Sequence, residues 1–99
     1  MLTSLNEINE EHLAHIEELG KHFFTPREIA TMLEIDQTTM TDAMNDIETS
    51  IYRSYNKGFL QSEYELRKCI LQLALSGSSP AQAMAKDIKD KATIKKLDR

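Results

Sequence analysis

TPREIATMLEIDQTTMTDAMN, residues 25 to 45, contains two short helices and the turn between them. Thr25 offers a side-chain oxygen to the free N–H groups of a first turn. Pro26 is pre-set for the first helical position, and Glu28 is placed to close a capping box. Ile29, Ala30 and Leu33 share one face of the helix that follows. Ile35 and Asp36 sit in a short turn, and a second helix starts near Gln37 with Met40, Ala43 and Met44 facing inward. A join this short makes the helices cross steeply, at Ala30, where a small side chain lets the backbones approach. The pattern is a helix-turn-helix. Its turn lacks the glycine that often takes a positive φ; the nearest substitutes are Glu34 and Asp36, of which aspartate tolerates the left-handed region better.

Upstream, Ser4 with Glu7 reads as another capping box, opening a first helix with Leu5, Ile8, Leu13, Ile16 and Leu19 at helical spacing up to Gly20, a good stop. Phe23 and Phe24 then plug the corner where this helix meets the motif, completing a three-helix, homeodomain-like unit. Downstream, Ile47, Ile51, Tyr55, Phe59, Ser62, Leu66, Ile70 and Leu73 step by three or four residues, close to the helical period of about 3.6. The stripe passes Gly58 without a change of phase, which predicts one long helix from about Gln37 into the seventies, with Gly58 as the place for a kink. Gly77 supplies a left-handed stop; Ser79, Pro80 and Gln82 open a last helix to about Asp90, with Ala81, Met84, Ala85 and Ile88 on one side. The closing KDKATIKKLDR is charged and short of anchors.

The fold class expected is therefore all-α: an N-terminal three-helix helix-turn-helix unit whose last helix extends into a long helical hairpin. Residues 1–50 form the helix-turn-helix unit, 51–90 a hairpin for oligomerisation, and 91–99 a flexible basic tail. With 99 residues, one cysteine, three glycines and two prolines, a single small domain with a helical arm is what the length allows. The lone Cys69 excludes an intramolecular disulfide and suits a reducing compartment; no secretion signal or membrane-length apolar run is present, so the expected location is the cytoplasm.

Charge is unevenly placed. Residues 1 to 50 carry two cations, Lys21 and Arg27, against eleven carboxylates, whereas residues 51 to 99 carry ten cations against five carboxylates, giving halves of −9 and +5 and the net −4 of the chain. A protein that grips phosphates normally shows a basic face. Here the acid lies on the motif itself, which disfavours strong binding by a single copy.

Chemistry-bearing patterns are few. There is no Gly-rich phosphate loop, nucleophile elbow or cysteine pair at metal-ligand spacing, so no enzymatic activity, cofactor or metal is expected. His12 and His15, one turn apart with Glu11 and Glu18 nearby, could be drawn as a metal site, but on an acidic helix they read as a solvated face. Lys86, Lys89, Lys91, Lys95 and Lys96 read as a soluble surface that can also hold DNA backbone or an acidic partner. The expected DNA-contacting residues are Arg27, Gln37, Thr38, Thr39, Thr41 and Asn45, whose amide and hydroxyl groups suit base edges and phosphates. The expected oligomerisation seam is Ile51, Tyr55, Phe59, Leu66, Ile70 and Leu73, an apolar stripe longer than the three-helix unit can cover.

The order of parts, FTPREIATMLEI followed by YNKGFLQSEYELRKCILQLALSGSSPAQAM, resembles the small subunits of bacteriophage terminases, through Tyr55 to Gly58, Glu65 to Arg67 and Ala74 to Gly77 in particular. In that family a helix-turn-helix recognises the packaging site on viral double-stranded DNA. A helical hairpin assembles subunits into a ring that presents the DNA to the large, ATP-cleaving subunit. The resemblance implies a non-catalytic, DNA-binding, oligomeric adaptor of viral genome packaging in the bacterial host cell, with the large terminase subunit as a partner. The alternatives are a small dimeric helix-turn-helix regulator of a phage or mobile element, and an interaction module whose motif has lost DNA binding.

Overall fold

The computed structural model describes residues 1–97, with side chains through Ile94. The chain is all-helical: a 3-10 turn over Leu5–Glu7, then α1 (Glu10–Lys21), α2 (Pro26–Leu33), α3 (Gln37–Met44), α4 (Ser50–Leu75) and α5 (Ser79–Leu97). It divides into two compact units, Met1–Ser62 and the residues from Glu63 onward, with α4 contributing to both.

The first helix differs from expectation. Ser4 caps only the 3-10 turn, accepting from the Asn6 N–H at 3.2 Å. The α-helix begins after Asn9, whose Oδ1 accepts from the His12 N–H at 2.9 Å while His12 Nδ1 accepts from the Asn9 N–H at 3.1 Å. Asn-x-x-His is thus the capping box, and His12 is a cap residue. The stop is also displaced. Phe23, with φ 61°, takes the left-handed position beyond the C-terminus, and Phe24 N–H bonds back to the Leu19 carbonyl at 3.2 Å. The Phe23 ring offsets the strained backbone: it stands edge-on to Phe59, with centroids 5.0 Å apart.

Gly20 and Gly58 are both buried where α1 and α4 cross. A Cβ on Gly20 would meet the Tyr55 carbonyl oxygen at 2.7 Å, and one on Gly58 would penetrate the Glu17 carbonyl, with its carbon at 2.9 Å. The helices approach backbone to backbone, and only glycine fits at either position. Around the crossing, the Ser62 hydroxyl donates to the Lys21 carbonyl at 2.5 Å and the Tyr55 hydroxyl to the Phe24 carbonyl at 2.9 Å. Burial, with Glu28 adding a like charge, raises the Tyr55 phenol above its ordinary value and so keeps it a donor. Ile16, Leu19, Ile29, Ala30, Ile35, Met40, Ala43 and Ile51 form the core of this unit, each large side chain contributing about 1.5–3 kcal/mol.

The long helix passes through Gly58 as expected, but it does not begin at Gln37. α3 ends at Met44, and the chain turns through 45–49. Asp46 makes the turn: its Oδ1 accepts from the Glu48 N–H at 2.9 Å and its carbonyl from the Thr49 N–H at 3.1 Å. Thr49 then caps α4, accepting from the Tyr52 N–H at 3.2 Å. Ile47, which the stripe would include, sits in this turn, 64% exposed.

In the second unit, Gly77 holds φ 99° and the Ser78 N–H returns to the Leu73 carbonyl at 3.1 Å. The cap of α5 is Ser78 rather than Ser79, with its Oγ accepting from Ala81 N–H at 3.4 Å and its carbonyl from Gln82 N–H at 2.9 Å. α5 continues beyond Asp90, so the stretch expected as a flexible tail is helical to Leu97; residues 98 and 99 lie outside the described residues. Lys86–Asp90 and Asp87–Lys91 pairs, at 2.8 and 3.0 Å, favour this extension.

Gly58→Ala should cost more than about 3 kcal/mol, because the obstruction is backbone that cannot rotate away. Gly77→Ala, with open space but a left-handed backbone, should cost about 1–2 kcal/mol. Urea denaturation followed by circular dichroism measures both.

Candidate nucleic-acid interface

The helix-turn-helix forms as its sequence punctuates it. Thr25 Oγ1 accepts from Glu28 N–H at 3.2 Å and Glu28 Oε1 from Thr25 N–H at 2.9 Å, with Pro26 opening α2. Ala30 and Ile35 are buried at the join. In the turn, Glu34 rather than Asp36 is left-handed, at φ 56°. Asp36 instead caps α3, its carboxylate accepting from the Thr39 N–H at 3.1 Å.

The six residues expected to face DNA separate into two groups. Gln37 is drawn back onto α2, its Nε2 donating to the Arg27 carbonyl at 3.1 Å and the Thr31 hydroxyl at 3.2 Å. Thr39 Oγ1 lies 3.0 Å from the Thr3 carbonyl and 3.3 Å from the Asp36 carboxylate, so its single proton is held inside the protein. These two side chains brace α3 through hydrogen bonds within the protein. Thr38, Thr41 and Asn45 are exposed on α3 and at its C-cap, and Arg27 is exposed on α2.

Asp42 shares the exposed face of α3 with Thr38, Thr41 and Asn45, and α3 itself carries no cation. With Glu28 and Glu34 also exposed, Arg27 is the one positive side chain of α2 and α3. One copy of this surface offers hydrogen-bonding groups with little phosphate attraction.

The N-terminal residues join this surface without any motif to announce them. Leu2 N–H donates to the Glu34 carbonyl at 2.8 Å and the Leu2 carbonyl accepts from the Asp36 N–H at 2.7 Å, a parallel bridge against Ile35. An extended three-residue arm therefore lies on the helix-turn-helix turn. Its only sequence signal is an apolar residue ahead of the first cap.

The expected seam also divides. Ile51 is 1% exposed, a core residue of its own chain. Tyr55 packs against that core, and Phe59 against Phe23 and Tyr55. All three are engaged within the first unit, which corrects their assignment to an interface between copies. Leu66 and Leu73 are half exposed, and Ile70 is partly buried.

In the second unit, Glu63 and Arg67 of α4 border a cleft with Asp87, Ile88 and Lys91 of α5, and the Ala74 carbonyl accepts from Gln82 Nε2 at 3.1 Å. At about 100° per residue, Glu63, Arg67, Ile70 and Ala74 share the face turned to α5. Leu66, Cys69 and Leu73 lie to one side of it, and Tyr64, Leu71 and Leu75 to the other. Ala81 is the sole buried apolar side chain among the described residues of this unit, whereas Leu75 is 89% exposed.

Among the described residues, no three His, Cys, Asp or Glu side chains converge as a metal site, and no helix is long and apolar enough to cross a membrane. Comparison with protein families, curated proteins and solved structures finds no match to this chain.

The division of the seam has a direct measure. Ile51→Ala should destabilise the first unit by about 2–4 kcal/mol through the cavity it leaves. Leu73→Ala should change that unit's stability by less than about 0.5 kcal/mol. Tyr55 fluorescence during denaturation, in variants in which Tyr52 and Tyr64 are replaced by Phe, reports that unit.

Proposed function

We propose that this chain is a non-catalytic, DNA-binding adaptor that works as an oligomer, of the kind the terminase small subunits represent in viral genome packaging. The observation that carries the reading is a helix-turn-helix with an exposed Thr38, Thr41 and Asn45 surface, joined by α4 to a hairpin with exposed apolar side chains on two sides. The first part suits hydrogen bonding to base edges and phosphates. The second suits self-association.

The two flanks of the hairpin differ. One presents Leu66, Cys69 and Leu73, the other Tyr64, Leu71 and Leu75, and all six are exposed. Unlike flanks favour head-to-tail packing, which closes as a ring when the rotation allows, over the single self-matching patch that a two-fold dimeric regulator uses. A ring also answers the charge of the motif. Many copies raise the effective concentration of one another's weak contacts, so affinity builds without a basic reading helix. Within this reading the duplex is double-stranded viral DNA in the bacterial host cell, and the second partner is the large terminase subunit. Lys86 and Lys91 form ion pairs with Asp90 and Asp87, which leaves α5 less cationic than its lysine count suggests.

Replacing Thr38 and Thr41 together with Glu tests the reading. The two carboxylates bring like charge to phosphate at the proposed contact, and duplex affinity at low salt should fall at least about tenfold. Gel retardation or fluorescence anisotropy measures it; unaltered binding by a folded double variant contradicts the assignment to α3.

A further inference from the structure

We infer that residues 1–3 are an autoinhibitory arm, docked on the turn of the helix-turn-helix and against the flank of α3, whose release exposes a fuller DNA-binding surface. The inference rests on the DNA-binding reading above. Three hydrogen bonds seat the arm: Leu2 N–H to the Glu34 carbonyl at 2.8 Å, Asp36 N–H to the Leu2 carbonyl at 2.7 Å, and the Thr39 hydroxyl to the Thr3 carbonyl at 3.0 Å. The Leu2 side chain, partly buried against the core, is its one apolar anchor.

The docked arm has two effects on α3. It holds Thr39, which the spacing of α3 otherwise offers next to Thr38 and Asp42, in an internal hydrogen bond. It also sets Thr3 beside a carboxylate of the 3-10 turn: Glu7 Oε1 lies 3.3 Å from the Thr3 hydroxyl and 3.4 Å from its N–H. The docked segment thus occupies the side of α3 next to its Asp36 cap, where a DNA backbone flanking an inserted helix would run. Undocking frees the Asp36 N–H and the Glu34 carbonyl, clears the flank of α3, and leaves the Thr39 hydroxyl with the Asp36 carboxylate as its one remaining partner.

The arm is held by little. Met1 is 81% exposed and Thr3 is exposed, so a few hydrogen bonds and one partly buried leucine are set against the backbone entropy of three extended residues. The same turn offers an N–H and a carbonyl spaced for an extended strand, and the arm fills that slot in place of another group.

Leu2→Pro removes the N–H that bonds Glu34, and Leu2→Gly removes the apolar anchor while keeping both backbone bonds available. Two quantities are compared among these full-length variants and the wild-type chain: the exchange rate of the Asp36 amide, which reports docking, and the affinity for a mixed-sequence duplex at low salt. Faster exchange with affinity raised at least about fivefold is the expected result, because the binding-competent fraction grows. Faster exchange with unchanged or weaker binding overturns the inhibitory role and leaves the DNA-binding reading standing. Faster exchange with no DNA binding by wild type or variants overturns both. An Asp36 amide that exchanges no faster in either variant overturns the docking itself, and Leu2→Gly carries the comparison if Leu2→Pro does not fold.

Discussion

α1 and α4 touch backbone to backbone, because Gly20 and Gly58 leave no side chain between them. Close approach of this kind fixes both the distance and the rotation of a helix pair, since every neighbouring side chain has to fit around the contact. The first turns of α4 are thereby set on the unit in a single register. Ile51 enters the core, Tyr55 reaches the Phe24 carbonyl, Phe59 meets Phe23, and Ser62 reaches the Lys21 carbonyl. Phe24 stands directly before the Thr25 cap of α2, so the crossing also fixes where the helix-turn-helix begins. Lys57 and Glu17, 3.7 Å apart, add an exposed ion pair of small worth.

The same helix has a different character further along. From Ile51 to Ser62 its apolar face is consumed by its own chain, and the unit is complete at that point. From Glu63 to Leu75 it meets α5 through Ile70, Ala74 and a charged cleft, and leaves leucines exposed on both sides. A two-helix hairpin whose described residues bury one apolar side chain, Ala81, has little apolar contact to hold its geometry alone. Helix propensity and i,i+4 ion pairs such as Glu63–Arg67 support the individual helices without supplying a core. On the proposed reading an assembly of copies would supply one, and would offset the weak phosphate attraction of a single α3.

Local signals in the sequence are legible where they act locally. Thr25, Pro26 and Glu28 form the cap that their types and spacing specify, Ala30 lies at the crossing, and Gly77 is left-handed. The join between α3 and α4 is hidden from periodicity, because Ile47 in the turn keeps the four-residue step to Ile51; Asp46 and Thr49, a turn former and a cap three residues apart, are the signal. Gly20 and Gly58 look like a stop and a kink but serve close packing, a distinction that depends on a partner helix far away in the sequence. The turn puts its left-handed residue at Glu34 because Asp36 does better as the cap of α3. For the candidate interface, the exposure of Thr38, Thr41 and Asn45 is readable from helical phase, while the internal bonds of Gln37 and Thr39 depend on α2 and on the arm, which no pattern within α3 reveals.

α4 is thus divided, its first half completing one chain's core and its second half reserved, on the proposed reading, for other copies. Sedimentation velocity on the full-length protein, across concentrations from about micromolar to millimolar, decides whether that reservation is real. A divided helix requires a species whose mass is a multiple of the chain, and requires that Leu66→Asp with Leu73→Asp reduce it to a monomer whose first unit remains folded. A wild-type chain that sediments as a monomer throughout that range would contradict it.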